Sequence, residues 1–509
     1  MKKRRACAQT IILSFLLAIP FVAAEAGMPE HSGGKLRGQH SADLLPARDP
    51  SGSAPLVTEG DLTIDGTTVT LDGPHVYSNV SILNGGVLNH SPCTAATEFQ
   101  LDLTVLGTLT VDASSGIDVS GRGYPAGYTA GLTTTGAATG RSGGSHGGLG
   151  FPVVGEANNT YGDYRAPTQP GSGGANHGAG GGSVHITADT LLLDGYIRAD
   201  GQDGLNGENV QSAGSGGSIW LEVGSLSGQG MISANGGDGG IVCYYGCRSG
   251  GSGSGGRVVL TYTSNDGFDL GRVTAHGGHR DAGDSNPGAV GTVYLKEAGS
   301  VGELRIMGTV PDTTVWTPLG IPNDTVFTAD TIVISGTGVI AAPEHQMPIR
   351  AGSLSILNQA KLTHRPATIT QTYSLRVIVT DTLSIGSTTG LITQTGTIDV
   401  SGRGYPAGYT VGLTTTGAAT GRSGGSHGGL GFPVEGEANR TYGDYRAPTQ
   451  LGSGGANHGA GGGSVCIAAS TLLLDGCIRA HGQDGLNGEN VQSAGSGGSI
   501  WLEAGSLSG

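Results

Sequence analysis

Gly182-Ser-Val-His-Ile186, Gly217-Ser-Ile-Trp-Leu221, Gly256-Arg-Val-Val-Leu260 and Gly291-Thr-Val-Tyr-Leu295 align with one another at spacings of 35, 39 and 35 residues. Each of the first three is followed by a second short apolar element. These read Gly195-Tyr-Ile-Arg-Ala-Asp-Gly201, Gly230-Met-Ile-Ser-Ala-Asn-Gly236 and Gly271-Arg-Val-Thr-Ala-His-Gly277. Short apolar runs of alternating character, bounded by Gly and Ser, are the pattern of strands rather than helices. A fixed long period means that each repeat leaves an apolar face which only its neighbour can cover. The expected fold is therefore all-β, a parallel β-helix or β-solenoid with Gly-rich loops. A tandem array of β-sandwiches is the alternative, but a Greek key does not predict Gly-Gly-Ser before every core strand.

The same reasoning extends outward. Leu101, Leu103, Val105, Leu109 and Val111 alternate with polar residues, as do Leu62, Ile64, Val69 and Leu71. A larger repeat encloses the small one. Residues 117–228 recur as 398–509 at an offset of 281, with 10 differences in 112 positions, among them Val154/Glu435, His185/Cys466, Tyr196/Cys477 and Asp200/His481. Upstream stretches match more weakly at an offset of 274. The organisation expected is a leader over 1–26, a low-complexity linker over 27–56, a first unit over 57–330 and a second over 331–509. The second unit stops part-way through the pattern, as a truncated product would.

Composition agrees. Glycine makes up 98 of 509 residues, about 19%, against a usual share of about 7%. Glycine is costly in helices, and no strict Gly-X-Y period points to collagen. With 36% hydrophobic residues in alternating runs, wholesale disorder is not the expectation either. The net charge is −14 and only five residues are Lys, which excludes a basic nucleic-acid footprint.

Met1-Lys-Lys-Arg-Arg5, the apolar run 11–22 and Val22-Ala-Ala24 or Ala24-Glu-Ala26 have the three parts of a secretory signal peptide. The run is too short to span a bilayer, so export without a membrane span is expected. Export permits disulfides, and Cys243-Tyr-Tyr-Gly-Cys247 reads as a loop disulfide or free thiols rather than half a metal site.

Two Gly-rich segments, 121–182 and 402–463, carry most of the reactive side chains. Candidate binding residues for a carbohydrate or surface ligand are His146, Tyr161, Asp163, Tyr164, Arg165 and His177, repeated as His427, Tyr442, Asp444, Tyr445, Arg446 and His458. Aromatic rings stack on sugar faces, and Asp with Arg holds hydroxyls or uronates. The blander reading is that Tyr and Arg anchor the segment to the strands while Asp163 holds turn amides. Asp200, Asp203, Asn206 and Glu208 look like a calcium loop. The first of them is His in the copy, however, and Asn or His in sister repeats. A corner in the left-handed region, which Asp, Asn and His tolerate, is the preferred reading. Asn79, Asn158, Asn323 and Asn439 begin glycosylation sequons. No nucleotide loop, nucleophile elbow or HExxH motif is present, and no catalytic residue or cofactor is expected.

The pattern GG-[SR]-[IV]-x-[IL] followed by G-x-[IV]-x-A-[DNH]-G resembles the Gly-rich repeats of large secreted bacterial surface proteins, described as adhesin-like or haemagglutinin-like. The resemblance covers roughly 57–509. It implies a β-helical stalk displayed outside the cell and carries over no catalytic residue; the role expected first is non-enzymatic, with extracellular polysaccharide or a cell-surface ligand as partner. The competing class is a β-helical lyase or glycosidase, which needs converging carboxylates in a groove.

Overall fold

The computed structural model describes residues 58–206, 210–243, 247–279, 286–311, 314–388, 394–485 and 492–509. The expected leader and the whole of the linker lie outside them. Strands dominate, there is no α-helix among the described residues, and none of them forms a helix long and apolar enough to cross a membrane.

The aligned motifs are neighbours in space. Ser183–Leu193, Ser218–Ser227, Arg257–Asp266 and Thr292–Glu297 form a parallel ladder with Ser183 opposite Ser218, Ser218 opposite Arg257 and Arg257 opposite Thr292. The sequence spacing is thus the ladder register. Leu101–Val111 precedes Ser183–Leu193 in the same sheet. Thirteen of that sheet's fourteen strands lie on one path. A second, narrower parallel sheet collects the short elements Val87–Asn89, Gly116–Asp118, Tyr196–Arg198, Met231–Ser233 and Val273–Thr274. Between the sheets, Val184, Ile186, Leu191, Ile219, Leu221, Val258, Ile197 and Ile232 are completely buried in one apolar cluster. Strands recurring at a long interval can pair in parallel because each connection is long enough to return the chain to its starting side.

The direction changes once. Thr292–Glu297 pairs antiparallel with Glu303–Met307, setting Tyr294 opposite Leu304. From there the wide sheet is parallel again through Phe327–Ser335, Ile349–Leu357, Leu375–Gly386, Ser464–Leu474 and Ser499–Ser508. Val293 and Leu295 belong to the first cluster, whereas Tyr294 and Leu304 belong to a second. Successive residues of a strand point to opposite faces. The two cores therefore lie on opposite faces of one continuous sheet. The short elements of the second stretch, Thr317–Leu319, Ile340–Pro343, Lys361–Leu362, Thr397–Asp399 and Cys477–Arg479, form their own parallel sheet.

The duplicated segments fold alike. Strands at Gly116–Asp118, Ser183–Leu193, Tyr196–Arg198 and Ser218–Ser227 return at Thr397–Asp399, Ser464–Leu474, Cys477–Arg479 and Ser499–Ser508. The weaker offset of 274 is also structural: Asn84 and Asn358 share a left-handed backbone, with φ of 53° and 54°.

The corners differ from expectation. Asp200, Asn235, His276 and His481 are not in the left-handed region; among the described non-glycine residues that conformation falls at Asn84, Leu132, Val154, Asn358, Gln359, Leu413 and Glu435. The corner residues act instead through their side chains. Asp200 Oδ1 accepts the Asn235 N–H (2.6 Å), and Asn235 Oδ1 accepts that of His276 (2.7 Å). Each repeat thereby caps an amide of the next.

Cys243 is disulfide-bonded and stands opposite Cys247 in a two-stranded antiparallel hairpin. Cys93 and Cys466 are free thiols.

Candidate functional site

Glycine builds the scaffold of the site by permitting backbones to touch. A Cβ at Gly180, Gly181, Gly217, Gly253 or Gly291 would lie 1.9 Å from a carbonyl oxygen of a neighbouring segment. None of these five has a positive φ. The segments are joined laterally, as in Gly181 N–H to Ser215 O, Gly216 N–H to Ser254 O and Gly255 N–H to Ala289 O. Residues 121–182 form part of this layer, so the Gly-rich segment is an ordered body.

Its hub is Asn158. Asn158 Oδ1 accepts the Ser145 N–H (2.7 Å), and Nδ2 donates to Ser145 O (2.9 Å), Asn159 O (2.9 Å) and Ser172 Oγ (3.0 Å). Asn439 repeats the arrangement. Both are buried, so these two sequons mark structural asparagines rather than accessible acceptors. Removing a satisfied buried hub leaves several polar groups unpaired. Asn158→Ala is expected to lower stability by about 2–3 kcal/mol and to open the 121–182 segment to protease, as urea titration and limited proteolysis will read.

The predicted residues group around this hub. Tyr161 donates to Pro170 O (2.6 Å) and accepts from Ser172 Oγ (3.0 Å). Its ring stacks on His146 at 4.7 Å. His146 is fully buried, its Nδ1 3.0 Å from Gly216 O. Burial lowers its pKa to about 3. His177 stands apart, in the 174–178 turn, with a buried and unpartnered Nδ1; His458 repeats it.

Asp163, Tyr164 and Arg165 continue to the place where the strand direction reverses. There they line a cavity of about 270 Å³ with Arg257, Thr292, Leu304, Leu319, Asp324 and Phe327. Tyr164 OH (2.9 Å) and Arg165 Nη2 (2.6 Å) both donate to Thr328 O. Tyr164 also packs edge-on to Tyr294 and tilted against Phe327. Asp163 Oδ1 accepts the Arg165 N–H (2.8 Å). Arg257 is buried, its Nε donating to Tyr161 O (3.0 Å) and its Nη1 to Thr292 Oγ1 (3.2 Å). Burial lowers its pKa to about 10, so it stays cationic at neutral pH. Two guanidiniums and two carboxylates thus border a space large enough for a small anion or a sugar ring.

No protein-family model, curated protein or solved structure matches this chain. What the site can do is therefore argued from its own atoms.

Among the described residues, the same side chains of the second copy have no opposite wall. Asp444 still caps the Arg446 N–H, and the His427 ring still packs, tilted, against Tyr442. Tyr445, however, is 83% exposed where Tyr164 is 9% exposed. Tyr164→Phe is expected to cost about 1 kcal/mol, a typical hydrogen bond, and Tyr445→Phe nothing measurable; paired urea midpoints check this.

One cluster was missed in the sequence. His185 Nδ1 lies 2.9 Å from Asp102 Oδ1, and its Nε2 lies 3.3 Å from Glu222 Oε2. Its ring packs on Trp220 at 4.4 Å. The signal was the alignment itself, which sets His185 beside Trp220; the ladder adds Asp102 on the other side. In the copy the row reads Arg376, Cys466 and Trp501. Burial opposes protonation of His185, but the Glu222 and Asp102 carboxylates outweigh it and raise the pKa above 6.5. A raised folded-state pKa gives stability that is present below about pH 6.5 and is lost as pH rises through the folded value. His185→Cys is expected to remove that component, so wild type and variant converge towards pH 8 and separate towards pH 6 in urea titrations.

The calcium-like residues are occupied. Besides Asp200, Asp203 Oδ1 accepts the Asp238 N–H (2.8 Å) and Asn206 Oδ1 that of Ile241 (2.8 Å). Each thus holds the following repeat, while Glu208 lies outside the described residues. No group of three or more metal-ligating side chains occurs among the described residues.

Proposed function

We propose that this chain is a secreted β-solenoid repeat protein whose function is reach and display at a cell surface, without catalysis. The observation that carries the reading is the identity of sequence period and ladder register. Ser183, Ser218, Arg257 and Thr292 are equivalent in sequence and adjacent in space. Such an object lengthens by adding repeats, each stabilised by its neighbours. The acids support the same reading. Asp163, Asp200, Asp203 and Asp238 hold backbone amides, and Asp102 and Glu222 hold a histidine. The leader-like N-terminus supports export.

Thirteen rungs at about 4.8 Å each span roughly 60 Å. Appending a further copy of 229–509, with eight rungs on the same path, is expected to lengthen the particle by about 38 Å in small-angle scattering. An unchanged length, or turnover of an acidic polysaccharide that fails in Asp102→Asn, would sink the proposal.

Arg165 and Arg257 beside the cavity favour a second reading, the binding of an acidic saccharide at the joint. Titration with uronate oligosaccharides is expected to show binding that Arg165→Ala weakens. Equal binding by the variant would remove this reading.

A further inference from the structure

The hydroxyl of the Gly-Gly-Ser motif has one task in the ladder, and at one rung it is replaced. Ser183 Oγ donates to Thr168 O (3.0 Å) and Ser218 Oγ to Gln169 O (2.6 Å). Ser464 and Ser499 repeat this with Thr449 O and Gln450 O. The residue in register with Ser218 on the next strand is Arg257, and the one after it is Thr292. A hydroxyl suffices for the ladder, so the guanidinium at 257 is a local addition. It stands in the wall of the cavity at the joint.

Arg257 is 3% exposed. Its Nε and Nη1 are used by Tyr161 O and Thr292 Oγ1, while Nη2 has no hydrogen-bond partner among the described residues. No described carboxylate reaches ion-pair distance from it; Asp163 and Glu344 attract the charge from farther away. The two carboxylates of the cavity are engaged with amides, Asp163 Oδ1 with the Arg165 N–H and Asp324 Oδ2 with the Ile321 N–H (2.8 Å). A buried cation without a counter-charge is costly, and an oxyanion that meets it forms a strong charge-assisted hydrogen bond. Thr292 is also buried, and because its Oγ1 accepts from Arg257 its own proton is left to donate. Much of the remaining wall is apolar: Leu304, Pro318, Leu319, Ile321 and Phe327. Hydroxyls of a ligand turned toward these side chains would go unpaired.

We propose that the cavity at the joint is a site for a small carboxylate with an apolar body, its carboxylate on Arg257 Nη2 and the Thr292 hydroxyl and its body against Leu304, Leu319 and Phe327. An apolar pocket with a few convergent polar groups is the usual form of a small-molecule site. The volume of about 270 Å³ is what about nine waters occupy in the liquid, which suits a ligand the size of benzoate. Arg257 and Thr292 come from strands before the reversal, and Leu304, Leu319 and Phe327 from strands after it. The occupant therefore ties the two stretches together and stabilises their contact by mass action. The inference shares with the saccharide reading only the premise that the cavity takes an anion.

The test is calorimetric titration of the full chain with benzoate, benzyl alcohol, inorganic phosphate and glucuronate. Benzoate is expected to bind at least about tenfold more tightly than benzyl alcohol, which lacks the charge, and than phosphate, which lacks the apolar body. Arg257→Ser, with the side chain that sister rungs carry, is expected to weaken benzoate at least about tenfold. Leu319→Trp keeps the guanidinium and fills the cavity from its apolar side, and is expected to give the same loss should Arg257→Ser fail to fold. Equal binding of phosphate and benzoate would overturn the apolar body, and undiminished binding by folded Arg257→Ser would overturn the anchor. Binding of glucuronate without benzoate would overturn this inference and leave the saccharide reading standing. Binding of benzoate without glucuronate would do the reverse, and binding of neither would remove both.

Discussion

Gly147→Ala is expected to destabilise the protein by more than about 3 kcal/mol, while Gly428→Ala leaves it unchanged. The two positions are equivalent members of the duplicated segment, and neither has a positive φ, so conformational freedom is not the issue. The new methyl carbon at 147 would sit 2.0 Å from Gly256 O and 2.8 Å from Gly256 C. Those atoms belong to a segment held by Gly255 N–H to Ala289 O and Gly256 N–H to Ala234 O, so it cannot retreat without breaking its own pairing. Overpacking against side chains costs about 1–3 kcal/mol; collision with fixed backbone costs more. At 428 the methyl group points into open space. Urea midpoints followed by tryptophan fluorescence check the pair, and equal midpoints would refute the backbone-contact account of the glycine layer.

The second large effect is acid lability setting in below neutrality. His90, His146 and His364 are buried, and burial lowers their pKa values to about 4, about 3 and about 4. His90 is held as a neutral ring: Nδ1–H donates to Ser91 O (2.7 Å), and Nε2 accepts the Ser183 N–H (3.1 Å). A second proton would set two N–H groups face to face. The folded values lie below 6.5, so as pH falls the unfolded chain takes up protons first. Stability therefore declines from about pH 6.5 down to the folded values. Lowering from 6.5 to about 4 or about 3 corresponds to roughly 3–5 kcal/mol per histidine, and His185 opposes the trend. Urea titrations from pH 7.5 to 4.5 are expected to fall with a slope of two to three protons. A flat profile to pH 5 would mean that these rings become protonated in the folded state.

The rungs were readable because they obey short local rules. Val184, Ile186 and Leu191 declare themselves by period two, and the Gly-Gly-Ser offsets carry the register outright. Glycine was harder. Its excess reads as turns and loops, yet at Gly217, Gly253 and Gly291 its purpose is contact between segments 30 or more residues apart, which no local pattern records. Asn158 was hidden for a related reason: a sequon and a buried hub have the same letters, and only the convergence of Ser145 and Ser172 separates them. The corners failed on mechanism, since Asp, Asn and His suit a left-handed backbone and an accepting side chain alike. Asp163, Tyr164 and Arg165 were singled out, but the wall opposite them comes from Arg257 and 318–328, beyond a reversal that Glu297 to Glu303 does not announce. In the first copy their anchoring contacts to Thr328 match the blander reading, and they border a cavity as well.

The reversal between Thr292–Glu297 and Glu303–Met307 also bears on how the molecule would yield under load. The backbone hydrogen bonds of the wide sheet run along the stacking direction, as do the side-chain caps from Asp200 to Asn235 to His276. A pull along that direction therefore loads successive rungs in series, and the weakest gives way first. Rungs within each stretch share one core, but Tyr294 and Leu304 hand the load from one core to another across a three-residue-pair antiparallel contact. Tyr164 and Arg165 tie the Gly-rich segment to Thr328 across this seam, acting as a brace. The first copy is braced in this way, so rupture is expected to pause at the seam.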